Sequence, residues 1–108
     1  GLYETVAEAL SFGRAAGLNL EKVVEVVSSG AAANWVLDNR SSFMLKNDYP
    51  PGFKVNLHLK DLNICQQMDA DMGIENMPVT EQTIGDYQQL IENGRGEEDV
   101  SSVFTLKH

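Results

Sequence analysis

The sequence predicts an all-α fold, a compact bundle of five or six helices around a long central helix. Three observations carry that expectation. Apolar residues recur at i, i+3, i+4 and i+7 along the chain. Glycine, proline and asparagine stand where the resulting segments should start and stop. No segment reads as a strand without a competing helical reading.

Each element follows in order. Leu2, Val6, Ala9, Leu10 and Gly13 share one face of a first helix, which Gly17 stops. Asn19 caps a second, with Leu20, Val23, Val24 and Val27 as its stripe and Gly30 at its end. Its VVEVV run is β-branched and would suit a strand; the spacing and the cap decide for helix. Residues 32–46 form a third helix, with a break allowed near Ser41 and Ser42. NDYPPGF at 47–53 then ends one element and aims the next. A long fourth helix runs from about Val55 to Met72 and stops at Gly73. Pro78 suits the first turn of a fifth, which runs to about Asn93 with Ile84, Tyr87 and Ile91 inward. After GRG, the acids Glu97, Glu98 and Asp99 precede Val100, Val103 and Phe104, and Lys107 lies at the far end. That charge order favours a helix dipole and predicts a short sixth helix.

A length of 108 residues suits one domain, 1–108, with a single core. Sixteen acids against eight bases give a net charge of -8, which repels phosphate backbones and argues against nucleic-acid binding. Any anion site must therefore rest on a few local cations. Cys65 is the lone cysteine, and with two histidines it makes a poor metal set, so no metal site is expected. The same count points to a reducing compartment, the cytoplasm. No run approaches the roughly 18 apolar residues of a membrane span. The opening GLYETVAEALSF is already helical in rhythm, as a segment cut from a longer chain would be.

The fourth helix is the unusual one. On a wheel of about 100° per residue, Asn56, Lys60, Asn63, Gln67 and Asp71 gather in one polar stripe about 80° wide. Val55, Leu59, Leu62 and Ala70 fill one apolar sector; Leu57, Ile64, Cys65, Met68 and Met72 fill another. Two apolar sectors around one polar stripe describe a helix packed by several neighbours. Lys60 lies in the stripe and reads as a solvated lysine. Asp61 falls between Met68 and Met72, where a buried carboxylate needs hydrogen bonds or a cation. Capping a neighbouring helix, pairing with Arg14 or Arg40, pairing with His58 and facing a ligand cavity all remain open. Other candidates are weaker: GRGEED lacks the strand and last glycine of a dinucleotide fingerprint and reads as a loop and helix start. Ser28-Ser29-Gly30 reads as a helix end, Trp35 as core or interface, and Cys65 as a small hydrophobe on an apolar face.

At FKVNLHLKDLNI, preceded by YPPG, the sequence resembles the β-hydroxyacid dehydrogenase family, whose pattern there is PGF, an apolar run, then H/Q-x-K-D-L. EALSFGRAAGLNLEKVVEVVSSG, NMPVTEQTIGDYQQLIENGRG and EEDVSSV match three further family segments in order, so the resemblance covers nearly the whole chain. It is specific to the family's C-terminal helical domain, similar to that of 6-phosphogluconate dehydrogenase.

The resemblance implies an intact enzyme with an N-terminal Rossmann domain and an active site in the cleft between domains. Family members pass hydride between NAD or NADP and a small hydroxyacid or its semialdehyde, and homo-oligomers are expected. The lysine of KDL lies by the cofactor, which maps to Lys60. The phenylalanine of PGF and the aspartate of KDL line the nicotinamide and substrate end, mapping to Phe53 and Asp61. The family's general acid/base lysine lies upstream of Gly1, so no catalytic residue is expected within this sequence. The segment alone is expected to be inactive and to bind cofactor poorly. A free-standing helical interaction module without catalysis is the alternative.

Overall fold

The computed structural model describes residues 1–107, and its order is α1 (Leu2–Ala15), α2 (Leu20–Ser28), α3 (Trp35–Lys46), α4 (Val55–Asp71), α5 (Pro78–Glu92) and a 3-10 helix (Val100–Leu106). No strand occurs among the described residues.

Local chemistry sets the boundaries. Gly17 takes φ +78° after α1, and Leu18 N donates to Gly13 O across it. Asn19 Oδ1 accepts from Lys22 N and Asn34 Oδ1 from Leu37 N, capping α2 and α3. α3 runs unbroken through Ser41, which is buried, and ends on Asn47 in the left-handed region. Pro78 opens α5, where its missing N–H costs nothing.

The short last helix is the hub of the packing. Val100 to Phe104 are all buried, and α1, α3, α4 and α5 each pack on it. Around it gather Val6, Ala7 and Leu10 of α1, Leu37 and Met44 of α3, Val55 and Leu59 of α4, and Ile84, Tyr87 and Leu90 of α5. In α5 the inward position belongs to Leu90, while Ile91 is 38% exposed.

The largest departure from the wheel is on α4. Only Val55 and Leu59 are buried there, whereas Leu57, Ile64, Met68 and Met72 are 50–63% exposed. α4 packs on α5 and the 3-10 helix, and the side chains of its second apolar sector are left exposed among the described residues. Cys65 lies on that bare side and is exposed. Trp35 is also exposed, with the Arg40 guanidinium 4.8 Å above its ring.

Candidate functional site

The residues singled out in the sequence cluster around the start of α4, and a clamp from the far end of the chain holds that start in place. A helix N-terminus leaves its first N–H groups without partners inside the helix. Lys54 caps α4 without a side-chain bond; instead Val55 N donates to Glu98 O and Asn56 N to Gly96 O, both at 2.9 Å. Val100 N donates to Phe53 O at 2.8 Å. The 96–100 segment thus lies against 53–56.

Asp99 is the centre of this clamp. It is fully buried, its Oδ1 accepts from Phe53 N at 2.9 Å, and its Oδ2 accepts from Ser101 N at 3.0 Å and Ser101 Oγ at 2.5 Å. Arg40 Nε sits 3.3 Å from Oδ2, an ion pair by distance but without hydrogen-bond geometry. The guanidinium carbon lies over the Trp35 and Phe43 rings at 4.8 and 4.9 Å. The turn before Phe53 comes so close that a Cβ on Gly52 would lie 2.8 Å from Asp99 Oδ1. That contact explains the glycine of PPGF.

Phe53 is half-buried, its ring edge-on to His58 at 5.3 Å; His58 is edge-on to Tyr87 at 4.9 Å in turn. Tyr87 anchors the stack by donating to Val100 O at 2.8 Å. Burial pushes the His58 pKa down, while Asp61 pulls it up. Neutral imidazole therefore prevails there at pH 7.

Lys60 projects into solvent along an open groove of about 440 Å³ lined by Asn56, Leu59, Lys60, Asn63, Ile64 and Gln67. Lys60 is the one cation among the described residues that line the groove, and three amides share it. Asn56 Nδ2 is engaged by Glu97 and Gln67 Nε2 by Asp71. Such a surface offers one positive charge and amide donors and acceptors to an anionic, hydroxyl-rich ligand, but its openness provides only one wall.

Asp61 departs from the wheel. It is exposed, because the apolar sector in which it sits is uncovered, and among the described residues it forms no ion pair. Arg40, a proposed partner, is spent on Asp99, and the Arg14 guanidinium lies over the Phe104 ring. His58, one turn away, is electrostatically coupled to Asp61. The buried carboxylate of the site is instead Asp99. A cue was present in the D-x-S spacing, since an aspartate commonly accepts from the N–H and hydroxyl two residues on.

A second polar cluster lies on the opposite edge of α5. Lys107 Nζ bridges Glu4 Oε2 and Asp86 Oδ2, each at 3.2 Å. Burial and the adjacent Asp86 push Glu4 up to about 7, and its Oε1 is buried without a hydrogen-bond donor among the described residues. No group of three or more histidine, cysteine or acidic side chains able to hold a metal occurs among the described residues. No helix is long and apolar enough to cross a membrane.

Residues 2–106 match the family model described as "NAD-binding of NADP-dependent 3-hydroxyisobutyrate dehydrogenase". The chain is 32% identical over 101 residues to an uncharacterized oxidoreductase of Bacillus subtilis, covering 94% of this chain and 35% of that protein. It is also 32% identical over 100 residues to 2-hydroxy-3-oxopropionate reductase of Escherichia coli, covering 93% and 34%. The crystal structure of 3-hydroxyisobutyrate dehydrogenase from Salmonella typhimurium superposes with a TM-score of 0.87 at 25% identity, over 96% of this chain and 36% of that one. The chain thus spans about a third of the length of the relatives it matches. With its whole helical length matched, the chain belongs to the 3-hydroxyisobutyrate dehydrogenase family and corresponds to the NAD-binding domain of that family model.

Proposed function

We propose that this chain is the C-terminal domain of an NAD(P)-dependent 3-hydroxyacid dehydrogenase or semialdehyde reductase, closing the active-site cleft over the cofactor. The observation that carries the reading is the groove of α4: an open face with Lys60 as its cation among the described residues and amides beside it. In the intact protein a Rossmann domain supplies the second wall. The nicotinamide, when bound, gives or accepts the hydride.

The chain's own residues orient and seal. Lys60 donates to the cofactor, and the amides of Asn63 and Gln67 stand beside it. Phe53 and Asp61 lie at the substrate end, Phe53 as an apolar wall and Asp61 as an acceptor for a substrate hydroxyl. The proton belongs to a lysine of the preceding segment, so the 108 residues alone are inactive and the enzyme works as a homo-oligomer. A small hydroxyacid or its semialdehyde is the substrate class.

The test is Lys60→Ala in the full-length enzyme. A charge-assisted hydrogen bond contributes about 1.5–3 kcal/mol, so cofactor affinity by calorimetry should fall roughly 10- to 100-fold with the melting temperature unchanged. Unchanged affinity overturns the role of Lys60. Micromolar NAD or NADP binding by the 108-residue segment alone overturns the division of labour between domains.

A further inference from the structure

We propose that Glu4, Asp86 and Lys107 form a proton-operated latch that sets how firmly the last helix is held on α1 and α5, and through it the ring stack behind Phe53. Its meaning for the cleft rests on the reading above; the latch itself does not.

The three groups come from three elements and meet largely out of water. Glu4 stands in the first turn of α1, Asp86 in the middle of α5, and Lys107 at the end of the 3-10 helix. Their side chains are only 12%, 20% and 16% exposed. Lys107 Nζ lies 3.2 Å from Glu4 Oε2 and 3.2 Å from Asp86 Oδ2, so one ammonium draws two carboxyl groups onto itself. The Ser11 hydroxyl donates to Lys107 O, and Lys107 N donates to Phe104 O at 3.0 Å, which pins the same residue by its backbone. The end of the last helix thus hangs on one lysine.

Two acids and one base leave an imbalance. With both carboxyl groups ionised, the cluster carries a net negative charge where little water reaches. Two carboxyl groups that share a site and are short of one cation are satisfied by a proton held between them. That proton sits on Glu4, whose carboxyl is held up to about 7 by burial and by its hydrogen bond to Asp86. Burial pushes Asp86 upward too, but its hydrogen bonds with Glu4 and Lys107 outweigh this and keep it below the usual carboxylate range. The buried Glu4 Oε1, without a donor among the described residues, is an unsatisfied acceptor when the group is ionised. Burial works against the charge on Lys107, yet Asp86 and Glu4 more than offset it and hold the ammonium above its ordinary value. Of the groups around them, Gln82 Nε2 donates to Asp86 Oδ1 at 3.4 Å, the Tyr87 hydroxyl is spent on Val100 O, and Glu8 is exposed. No charged group of α2 or α3 acts on Glu4 among the described residues.

With the latch open, Glu4 is solvated and titrates near its ordinary 4.5; with it closed, at about 7. The closed form is therefore tightest below 4.5, weakens by up to about tenfold per pH unit between those values, and is loosest above 7. The latch touches the ring stack at two points. Tyr3 precedes Glu4, and its ring lies 6.4 Å from that of His58. Tyr87 follows Asp86, with its ring 4.9 Å from His58. His58 in turn backs Phe53 at 5.3 Å. Acid at this cluster tightens the wall on which Phe53 rests, and neutral pH relaxes it.

Hydrogen exchange by mass spectrometry on the full-length protein from pH 5 to 8, corrected for the pH dependence of chemical exchange, tests this. In wild type the opening of 104–107 should rise at least about tenfold from pH 5 to 7 and level off above, and 53–58 should follow by about threefold or more. Glu4→Gln should abolish both rises. Lys107→Met should move the rise to higher pH, because the ammonium favours ionised Glu4; Asp86→Asn should move it to lower pH, because the neighbouring carboxyl favours the protonated form. A wild-type opening independent of pH overturns the proposal, and so does a Glu4→Gln profile that keeps the wild-type rise. A rise confined to 104–107 overturns the control of the stack. Should Lys107→Met fail to fold, the downward shift in Asp86→Asn decides. The readout needs no cofactor, so its failure and a failure of Lys60 to bind NAD or NADP are separate results.

Discussion

Replacing Asp99 by alanine is the sharpest perturbation of the site. It leaves the Phe53 N–H, the Ser101 N–H and hydroxyl and the Arg40 guanidinium facing a position that is closed to solvent. Removing one partner of a buried ion pair costs about 3–5 kcal/mol, and each neutral donor left unsatisfied about 1–3. These terms do not add fully, because the Ser101 hydroxyl can rotate and Arg40 is 19% exposed and can swing outward. We therefore expect about 4 kcal/mol. A domain of this length has a total stability of about 5–15 kcal/mol, so the variant should fold but with much of its margin gone.

Urea unfolding followed by far-UV circular dichroism measures the cost. With a slope of about 1.5–2 kcal/mol per molar, the midpoint should fall by about 2–3 M. Native-state amide exchange should then accelerate at Phe53, Val55 and Asn56, whose N–H groups lie in the clamp. A midpoint shift below about 0.5 M would refute the reasoning, since it would mean that Asp99 is not the joint between the last helix and α4. Arg40→Met should cost less in the Asp99→Ala background than in wild type, by about 1–2 kcal/mol, if the two are coupled as their geometry implies.

Three further outcomes follow from neighbouring features. Gly52→Ala should cost about 2–3 kcal/mol, because its Cβ meets the immobile Asp99 carboxylate. Gly96→Ala, which meets only the exposed Asn56 amide, should cost about 1 or less; equal effects in thermal melts would contradict this. Tyr87→Phe should lose about 1–1.5 kcal/mol in the same assay by stripping Val100 O of its donor, and no loss would mean that water replaces the hydroxyl. Glu4 titrates at about 7 when folded against 4.5 as its ordinary value, so the folded state holds its proton longer and stability falls as pH rises between those values. His58, depressed below 6.5, pushes stability the other way as pH rises towards 6.5, so the comparison must be between wild type and Glu4→Gln. From pH 5 to 8 the variant should gain on wild type by roughly 1–3 kcal/mol, and parallel pH profiles would refute the burial of an ionisable Glu4.

The helices were legible because their signals are local. A stripe at i, i+3, i+4 and an asparagine cap involve neighbours in sequence, and Asn19, Asn34 and Pro78 act where the residue order places them. The polar stripe of α4 read Lys60 as a solvated lysine, and it is exposed, for the same reason. Asp99 was legible only in its local bonds to Ser101 through the D-x-S spacing; its joint to α4 was not, because Phe53 N lies 46 residues away. Three consecutive acids look equivalent to a dipole argument, yet Glu97 pairs with Lys54 at the surface, Glu98 with Arg95, and Asp99 alone turns inward. What separates them is the fold, through the backbone approach of Gly52 and the phase of the 3-10 helix.

Asp61 fails in the opposite direction. A wheel records which side of a helix is apolar, and the inference to burial assumes that something covers that side. On α4 none of the described residues does, so the carboxylate meets water and needs no partner. The apolar strip of Leu57, Ile64, Met68 and Met72 is therefore best understood as demand for a surface rather than as core. The same logic applies to α2, whose valines are arranged for packing that α1 and α3 supply only from below. The domain buries a core around Val100–Phe104, while its two outer helices are apolar on their exposed sides. If Lys60 faces a cofactor, the α4 strip beside it should be covered when the second wall of that cleft arrives. Ile64 and Met68 should then be protected from solvent in the full-length protein and accessible in the 108-residue segment. Oxidative footprinting of Met68 in the two forms reads this directly, and equal rates would break the link between that strip and the cleft.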